Sequence, residues 1–238
     1  MLKQLTKRLV DATLIPLVAY ISRQVNVQSQ SDVQGVVSET TRRAVVDSAD
    51  YADSRMAQAL FFKDRRYLLH HAFTSRAAGG LIVQFGVWRG GSIRYFASLT
   101  NEVIYGFDSF EGLREDWKGR NLPKGMFDLG GVPPPVPANV RLVKGWFDQA
   151  LPSFLREHIE PFSFVHIDCD TYESTSTVLK LAGDRIRKGT IIIFDEYFGF
   201  RGWRMGEFKA WQEFVKARGL SYEYLAYDNE AVTLVVTS

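Results

Sequence analysis

The sequence has little cysteine and no large excess of charge of either sign. Its 238 residues include one cysteine, Cys169, so neither an intramolecular disulfide nor a multi-thiolate zinc site can be built from them. The 29 Lys and Arg residues against 27 Asp and Glu residues give a formal net charge of +2, which disfavours a dedicated nucleic-acid-binding protein. An ordinary globular protein is therefore expected, and its sparse use of cysteine fits the reducing cytoplasm.

Long hydrophobic runs are also missing, and this bears on the amino-terminal segment. After a basic start, residues 9–21 are mostly apolar, but Asp11 and Pro16 interrupt them and the run is shorter than the ~20 residues of a membrane-spanning helix. The pattern favours a helix for packing or for self-association into a homo-oligomer, with a helix on a membrane surface as the alternative. We predict a helical amino-terminal extension over residues 1–60 and a main domain over residues 61–238.

Short apolar runs and helical patterns alternate in the main domain. The apolar runs begin at Leu81, Val103, Val140, Phe162 and Thr190. Strands without polar alternation that are spaced by amphipathic helices predict a parallel sheet with helices on both faces, which is a doubly wound α/β fold. Two final strands turning at Asp228-Asn229 predict an antiparallel hairpin at the carboxyl end.

The residues that follow each strand are the first candidates for a site, since such folds bind ligands at the carboxyl ends of their strands. Gly86 to Ser92 form a glycine-rich turn whose backbone N–H groups can approach a ligand closely. Its spacing is not the G-x-G-x-x-G of pyrophosphate-binding dehydrogenases, which argues against NAD. Asp108 ends the next strand, at about the ~20-residue distance where an acidic residue meets ribose hydroxyls, and suggests a nucleoside cofactor. A solvated carboxylate is the alternative reading of Asp108.

Two further strand ends carry carboxylates. Asp168 and Asp170 follow one strand, and Asp195 and Glu196 follow the next. At one sheet edge Asp168, Asp195 and Glu196 would repel one another unless they were protonated or neutralised by a cation, and oxygen ligands suit Mg²⁺, with Ca²⁺ or Mn²⁺ possible. Hydrogen bonding at helix N-termini is the alternative without a metal. Asp170 shares a face with Asp168 in an extended segment and could take a proton from a hydroxyl.

Two other segments are candidates for pocket walls. Lys118 to Pro137 concentrates glycine and proline, which fits either a substrate lid or a solvated connector. Tyr197 to Trp211 is rich in aromatic and basic residues, and within it Trp203 and Arg204 are expected to face an acceptor.

Together these motifs resemble the class I S-adenosylmethionine (SAM)-dependent methyltransferases, and more narrowly the metal-dependent sugar O-methyltransferases of the macrocin and mycinamicin type. The resemblance covers about residues 60–238 and is carried, in order, by FGVWRGGS (85–92), GFDSFEGL (106–113), VKGWFDQALP (143–152), HIDCDTYEST (166–175) and FDEYFG (194–199). It implies a Rossmann-like, mostly parallel, seven-stranded sheet. It also implies Mg²⁺-dependent transfer of a methyl group from SAM to a hydroxyl of a small polyhydroxyl acceptor, a sugar or a glycosylated metabolite.

The resemblance further implies a role for each matching residue. Asp168, Asp195 and Glu196 would bind Mg²⁺, and Asp170 would be the general base. The residues that would contact the cofactor are Gly86, Val87, Trp88, Gly90, Ser92, Asp108, Ser109, Phe110, Gly145, Trp146, Phe147 and Asp168. Two residues depart from the family pattern: Gln84 replaces an acidic residue that contacts the cofactor's amino group, and Glu196 replaces a second Asp.

Two other functions stay open at the level of sequence. A metal-dependent hydrolase would use the carboxylates but would leave the glycine-rich turn and Asp108 without a role. A non-catalytic protein with the same fold would bind partners through residues 1–60. Neither a nucleic acid nor a membrane is an expected partner.

Overall fold

One mixed β-sheet organises residues 35–238, the part of the chain that this computed structural model describes. The helices are α1 (Val36–Arg55), α2 (Arg65–Thr74), α3 (Gly91–Ser98), α4 (Phe147–Glu157), α5 (Tyr172–Ala182) and α6 (Glu207–Arg218). The strands are β1 (Leu60–Phe61), β2 (Leu81–Phe85), β3 (Ile104–Asp108), β4 (Val140–Lys144), β5 (Phe162–Ile167), β6 (Ile191–Phe194), β7 (Tyr222–Tyr227) and β8 (Val232–Val236). The helix predicted over residues 9–21 lies outside the described residues.

The strands lie in the order β1-β7-β8-β6-β5-β2-β3-β4. Within residues 35–238, β8 is antiparallel to both of its neighbours, and every other pair of neighbouring strands is parallel. The predicted doubly wound, mostly parallel sheet with a carboxyl-terminal hairpin is therefore confirmed.

Strand β1 makes the sheet eight-stranded, whereas seven strands were predicted. Leu60 and Phe61 pair in parallel with Ala226 and Tyr227 of β7. A strand of two residues carries no alternating pattern that the sequence could reveal. It forms because β7 would otherwise leave its outer backbone groups unpaired at the sheet edge.

Apolar side chains pack against both faces of the sheet. Along β2, Leu81, Val83 and Phe85 join one buried cluster, while Ile82 joins the other, as the alternation of side chains along a strand requires. All five residues of β2, Gln84 included, are buried. Because β2 has no solvent-facing side, its sequence shows no polar alternation.

The chain reverses its direction of travel across the sheet at β2. Strands β3 and β4 lie on one side of it, and β5 and β6 lie on the other. The connections leaving β2 and β5 therefore diverge, and the crevice between them is where sheets of this kind bind ligands.

Contacts divide the chain into two units after Arg43, and the complete sheet lies in the second unit, residues 44–238. The described residues include no helix with the length and apolar character needed to span a membrane. Self-association through the amino-terminal helices stays a prediction.

Ser48 links α1 to the loop that follows β6. Its buried hydroxyl donates to the carbonyl of Ala44 at 2.7 Å and accepts from the N–H of Gly199 at 2.8 Å. Because Ser48→Ala leaves that N–H without its partner, we expect the free energy of unfolding to fall by about 1–3 kcal/mol in urea titrations. The control is Ser54→Ala on an exposed position of the same helix, with an expected change within about 0.5 kcal/mol; equal losses would contradict the assignment.

Candidate active site

The ends of β2 and β5 approach so closely at Gly86 that no side chain fits between them. A Cβ atom on Gly86 would lie 1.6 Å from the carbonyl oxygen of Asp168, and the φ angle of Gly86 is +89°, a value that favours glycine. The N–H of Asp168 in turn donates to the carbonyl of Phe85 at 2.9 Å. The glycine-rich turn and the acidic segment are therefore two walls of one site.

The carboxylate of Asp108 holds the glycine-rich turn in shape. Its Oδ2 accepts hydrogen bonds from the N–H groups of Val87 at 2.8 Å and Trp88 at 2.7 Å, and its Oδ1 accepts from the N–H of Phe110 at 2.7 Å. A carboxylate oxygen accepts about two hydrogen bonds, so Oδ2 is fully used and one site is left on Oδ1. Asp108 can therefore brace the turn and still accept one hydrogen bond from a ligand hydroxyl.

Gln84 braces the same turn from beneath. Its Nε2 donates to the carbonyl of Gly86 and to Oγ of Ser92, both at 2.8 Å. A carboxylate at this position could not donate to the Gly86 carbonyl. The departure from the family's acidic residue therefore has a structural role in this chain.

A cavity of about 500 Å³ opens at these strand ends. The predicted site residues that line it are Gly86, Val87, Trp88, Ser92, Asp108, Ser109, Gly145, Trp146, Phe147, Asp168, Asp170 and Glu196. The tertiary structure thus gathers the proposed cofactor contacts and the proposed base around one space.

Three predicted site residues do not line this cavity. Gly90 is buried, has a φ angle of +77° and precedes the first residue of α3. Phe110 has a φ angle of +60°, is 1% exposed and packs in the apolar core. Asp195 faces a different set of partners.

Three carboxylates converge at the acidic wall of the cavity. Oxygen atoms of Asp168, Asp170 and Glu196 lie within 4.8 Å of one another. Burial, together with the charge of Asp195, raises the pKa of Asp168 to about 7. Burial and the charge of Asp168 raise the pKa of Asp170, and burial and Asp195 raise the pKa of Glu196. Because like charges crowd here, the cluster would be stabilised by a divalent cation.

Asp195 is neutralised by protein groups. Its Oδ1 forms an ion pair with Nη1 of Arg65 and lies 3.3 Å from Nε2 of the buried His166. Burial opposes ionisation of Asp195, but the hydrogen bond from His166 and the charge of Arg65 outweigh it and lower the pKa. Candidate ligand atoms of His166, Asp168 and Asp195 lie within 4.8 Å of one another. The three predicted metal residues are therefore divided between two groups that share Asp168.

The glycine- and proline-rich segment contributes to the cavity wall. Arg120 and Phe127 of this segment line the cavity. Arg120 forms an ion pair with Glu230, and its guanidinium carbon lies 4.4 Å from the ring centroid of Phe200. This placement agrees with the lid alternative for residues 118–137, and closure on a ligand stays a prediction.

Several lining residues were missed at the level of sequence, and two of them have side chains that can bind a ligand. Arg114 and Trp117 belong to the loop after β3 and face the cavity. The Arg114 guanidinium carbon lies 4.7 Å from the ring centroid of Trp146. A loop has no periodic signal, but an arginine and a tryptophan shortly after the strand-end Asp108 were a usable indication of a ligand wall.

Trp203 and Arg204 do not face the cavity, so that prediction was wrong. Trp203 is 2% exposed and packs edge to face against Phe208, with 4.7 Å between the ring centroids. Arg204 pairs with both carboxylate oxygens of Asp47, at 2.7 and 2.8 Å. The loop after β6 turns towards α1, and that contact is invisible to local sequence patterns.

Residues 83–197 match the model of a family described as a methyltransferase domain. This central part of the chain is therefore similar to methyltransferase domains. The chain is also 29% identical over 141 residues to the 8-demethyl-8-(2,3-dimethoxy-alpha-L-rhamnosyl)-tetracenomycin-C 4'-O-methyltransferase of Streptomyces olivaceus. That match covers 50% of this chain and 53% of the relative, so the chain spans about half the length of the curated protein that it matches.

Solved structures of methyltransferases share the fold of this chain. The calicheamicin methyltransferase CalS11 matches with a TM-score of 0.58 at 21% identity, over 85% of this chain and 93% of that chain. The O-methyltransferase NovP matches with a TM-score of 0.52 at 20% identity, over 73% of this chain and 78% of that chain. The eight-stranded sheet is therefore of the Rossmann-like methyltransferase type.

Gly86→Ala should damage both stability and ligand binding. The new Cβ would overlap the Asp168 carbonyl and force the two strand ends apart, so we expect the free energy of unfolding to fall by about 3 kcal/mol or more. Gly91→Ala is the matched control, since a Cβ there meets no atom within 4 Å. Chemical denaturation of both variants tests this, and equal stability of the two would refute the close approach.

The acidic cluster predicts an unusual pH dependence of stability in the presence of EDTA. Because the pKa of Asp168 is raised to about 7, from about 4 in an unfolded chain, the folded protein holds more protons between these values. The free energy of unfolding should therefore fall as pH rises from about 4 to 7, by up to about 1.4 kcal/mol per pH unit for the Asp168 proton. The lowered pKa of Asp195 contributes no slope in this window, because that group is ionised in both states.

Asp168→Asn should make that slope shallower, and the exposed Asp53→Asn should leave it unchanged. Thermal unfolding at several pH values measures both variants. A slope that is the same in all three proteins would show that Asp168 titrates normally.

Proposed function

We propose that this chain is a methyltransferase that transfers the methyl group of SAM to a hydroxyl of a saccharide-containing acceptor, with Mg²⁺ at its acidic wall. The observation that carries the proposal is the cavity of about 500 Å³, which has the glycine-rich turn on one side and the carboxylate cluster on the other. The tetracenomycin relative is named for methylation of a rhamnosyl group, which favours a sugar acceptor.

The end of the cavity near β2 and β3 suits the cofactor. Gly86 and Gly145 expose backbone without side chains, and Oδ1 of Asp108 keeps one acceptor site for a ribose hydroxyl. Trp146 and Phe147 offer apolar rings for an adenine. Trp88, 42% exposed, presents an aromatic face that would favour a sulfonium cation.

The other end suits a hard cation and a hydroxyl. Asp168 and Glu196 provide oxygen ligands, and Oε2 of Glu196 is buried with no hydrogen-bond partner among the described residues. Mg²⁺ bound there would lower the pKa of the acceptor hydroxyl and fix its direction.

Asp170 is the proposed general base. It has a φ angle of +67°, lines the cavity and lies within 4.8 Å of Asp168 and Glu196. Its carboxylate would remove the proton of the acceptor hydroxyl while that oxygen forms a bond to the methyl carbon of SAM. The bond between carbon and sulfur breaks, and S-adenosylhomocysteine leaves with the electron pair on sulfur. The protein contributes mainly by holding the two reactants in line.

Asp170→Asn should separate binding from turnover. We expect the affinity for S-adenosylhomocysteine to stay within about threefold, because Asp170 lies at the acceptor end, and turnover to fall by about 10²- to 10⁴-fold. Isothermal titration and a radiolabelled methyl-transfer assay on rhamnose-bearing acceptors measure the two quantities. Glu173→Gln, an exposed position at the start of α5, is the matched control and should keep both.

Three results would contradict parts of the proposal. Turnover of Asp170→Asn near that of the unmodified chain would remove it as the base. No binding of S-adenosylhomocysteine with or without Mg²⁺ would leave the fold but remove the methyl donor. Hydrolysis of an acceptor without a methyl donor would favour the metal-dependent hydrolase.

A further inference from the structure

Arg65, at the start of α2, lies between two carboxylates: Asp195, which follows β6, and Asp228, which follows β7. Its Nη1 pairs with Oδ1 of Asp195, and its Nε donates to Oδ2 of Asp228 at 2.5 Å. Asp228 is 5% exposed, and its Oδ1 also accepts from the N–H groups of Glu230 and Ala231, both at 2.8 Å. The guanidinium is thus held in place from two sides.

Asp195 therefore already has the compensation that a buried carboxylate needs. The same Oδ1 meets Arg65 and Nε2 of His166, and the ring of His166 is fully buried. Hydrogen bonds from a guanidinium and an imidazole stabilise the ionised carboxylate strongly. A cation bound to Asp195 would lie beside the positive charge of Arg65, and the two would repel each other.

The carboxylates that lack a positively charged partner are those that line the cavity. Among residues 35–238, no ion pair to a lysine or an arginine involves Asp168, Asp170 or Glu196. All three line the cavity, and Oε2 of Glu196 is buried and unpartnered in this part of the chain. A cation would therefore be stabilised by this group of three, and because Asp170 is the proposed base, Asp168 and Glu196 are left to bind it.

We propose that Arg65 takes the place of a metal ion at Asp195, so that Asp168 and Glu196 are the two protein ligands of the cation. This inference rests on the proposed function. Mg²⁺ is commonly held by one or two carboxylates, with water and substrate oxygens completing its six positions. Asp195 is then a positioning residue that fixes His166 and the end of β6, and Asp170 keeps its carboxylate free for the proton.

Mn²⁺ is a spectroscopic probe for this site, since the electron paramagnetic resonance signal of free Mn²⁺ reports binding without any turnover. On the full chain, Glu196→Gln should weaken Mn²⁺ binding by about tenfold or more, while Asp195→Asn should keep it within about threefold. Arg65→Gln should tighten it, because a carboxylate is freed and a positive charge is removed. Exposed Asp53→Asn controls for the loss of one acidic group.

The double variant Arg65→Gln with Asp195→Asn replaces the ion pair by two neutral amides and guards against misfolding of either single variant. Circular dichroism and the thermal midpoint check each protein, and Mn²⁺ affinity of the double variant should again stay within about threefold of the unmodified chain. Equal weakening by Asp195→Asn and Glu196→Gln would overturn the inference and leave the proposed function standing. Absence of Mn²⁺ binding to the unmodified chain would overturn both the inference and the metal part of that function.

Discussion

The approach of the Gly86 backbone to the Asp168 carbonyl is the contact on which the rest of the site depends. A Cβ on Gly86 would lie 1.6 Å from the carbonyl oxygen of Asp168, so the position tolerates only glycine. The two strand ends therefore lie side by side. One wall carries the backbone donors of the turn, and the other carries the carboxylates. Because β2 is also the strand where the chain reverses direction across the sheet, the crevice lies directly above this contact.

Charge compensation divides the carboxylates into two groups. Arg65 forms an ion pair with Asp195 and His166 lies within hydrogen-bond distance of it, whereas Asp168, Asp170 and Glu196 face the cavity within 4.8 Å of one another. Burial and repulsion raise the pKa values of the cavity group, a pattern found more often at functional sites than elsewhere. The same crowding that makes the protein alone less stable at high pH creates affinity for a divalent cation.

Much of the fold was predictable because its signals are local. Buried strands such as β2 and β5 lack polar alternation, and glycine, aspartate or glutamate follows them at the sheet edge. The seventh and eighth strands in chain order were visible as a hairpin turning at Asp228-Asn229. The two-residue β1 was not visible, since it exists only because the edge of β7 was available.

The sequence by itself determined which chemistry-bearing residues follow which strands, because apolar runs and turn residues act over a few positions. Only the tertiary structure decided which of them share a cavity. Gly90 and Phe110 belong to the motifs but do not line the cavity: Gly90 lies at the start of α3, and Phe110 packs in the apolar core. Arg65 meets Asp195 although most of the chain's sheet lies between them in sequence. Electrostatic compensation acts through space, so the partner of a buried charge depends on packing and leaves no mark in the local sequence.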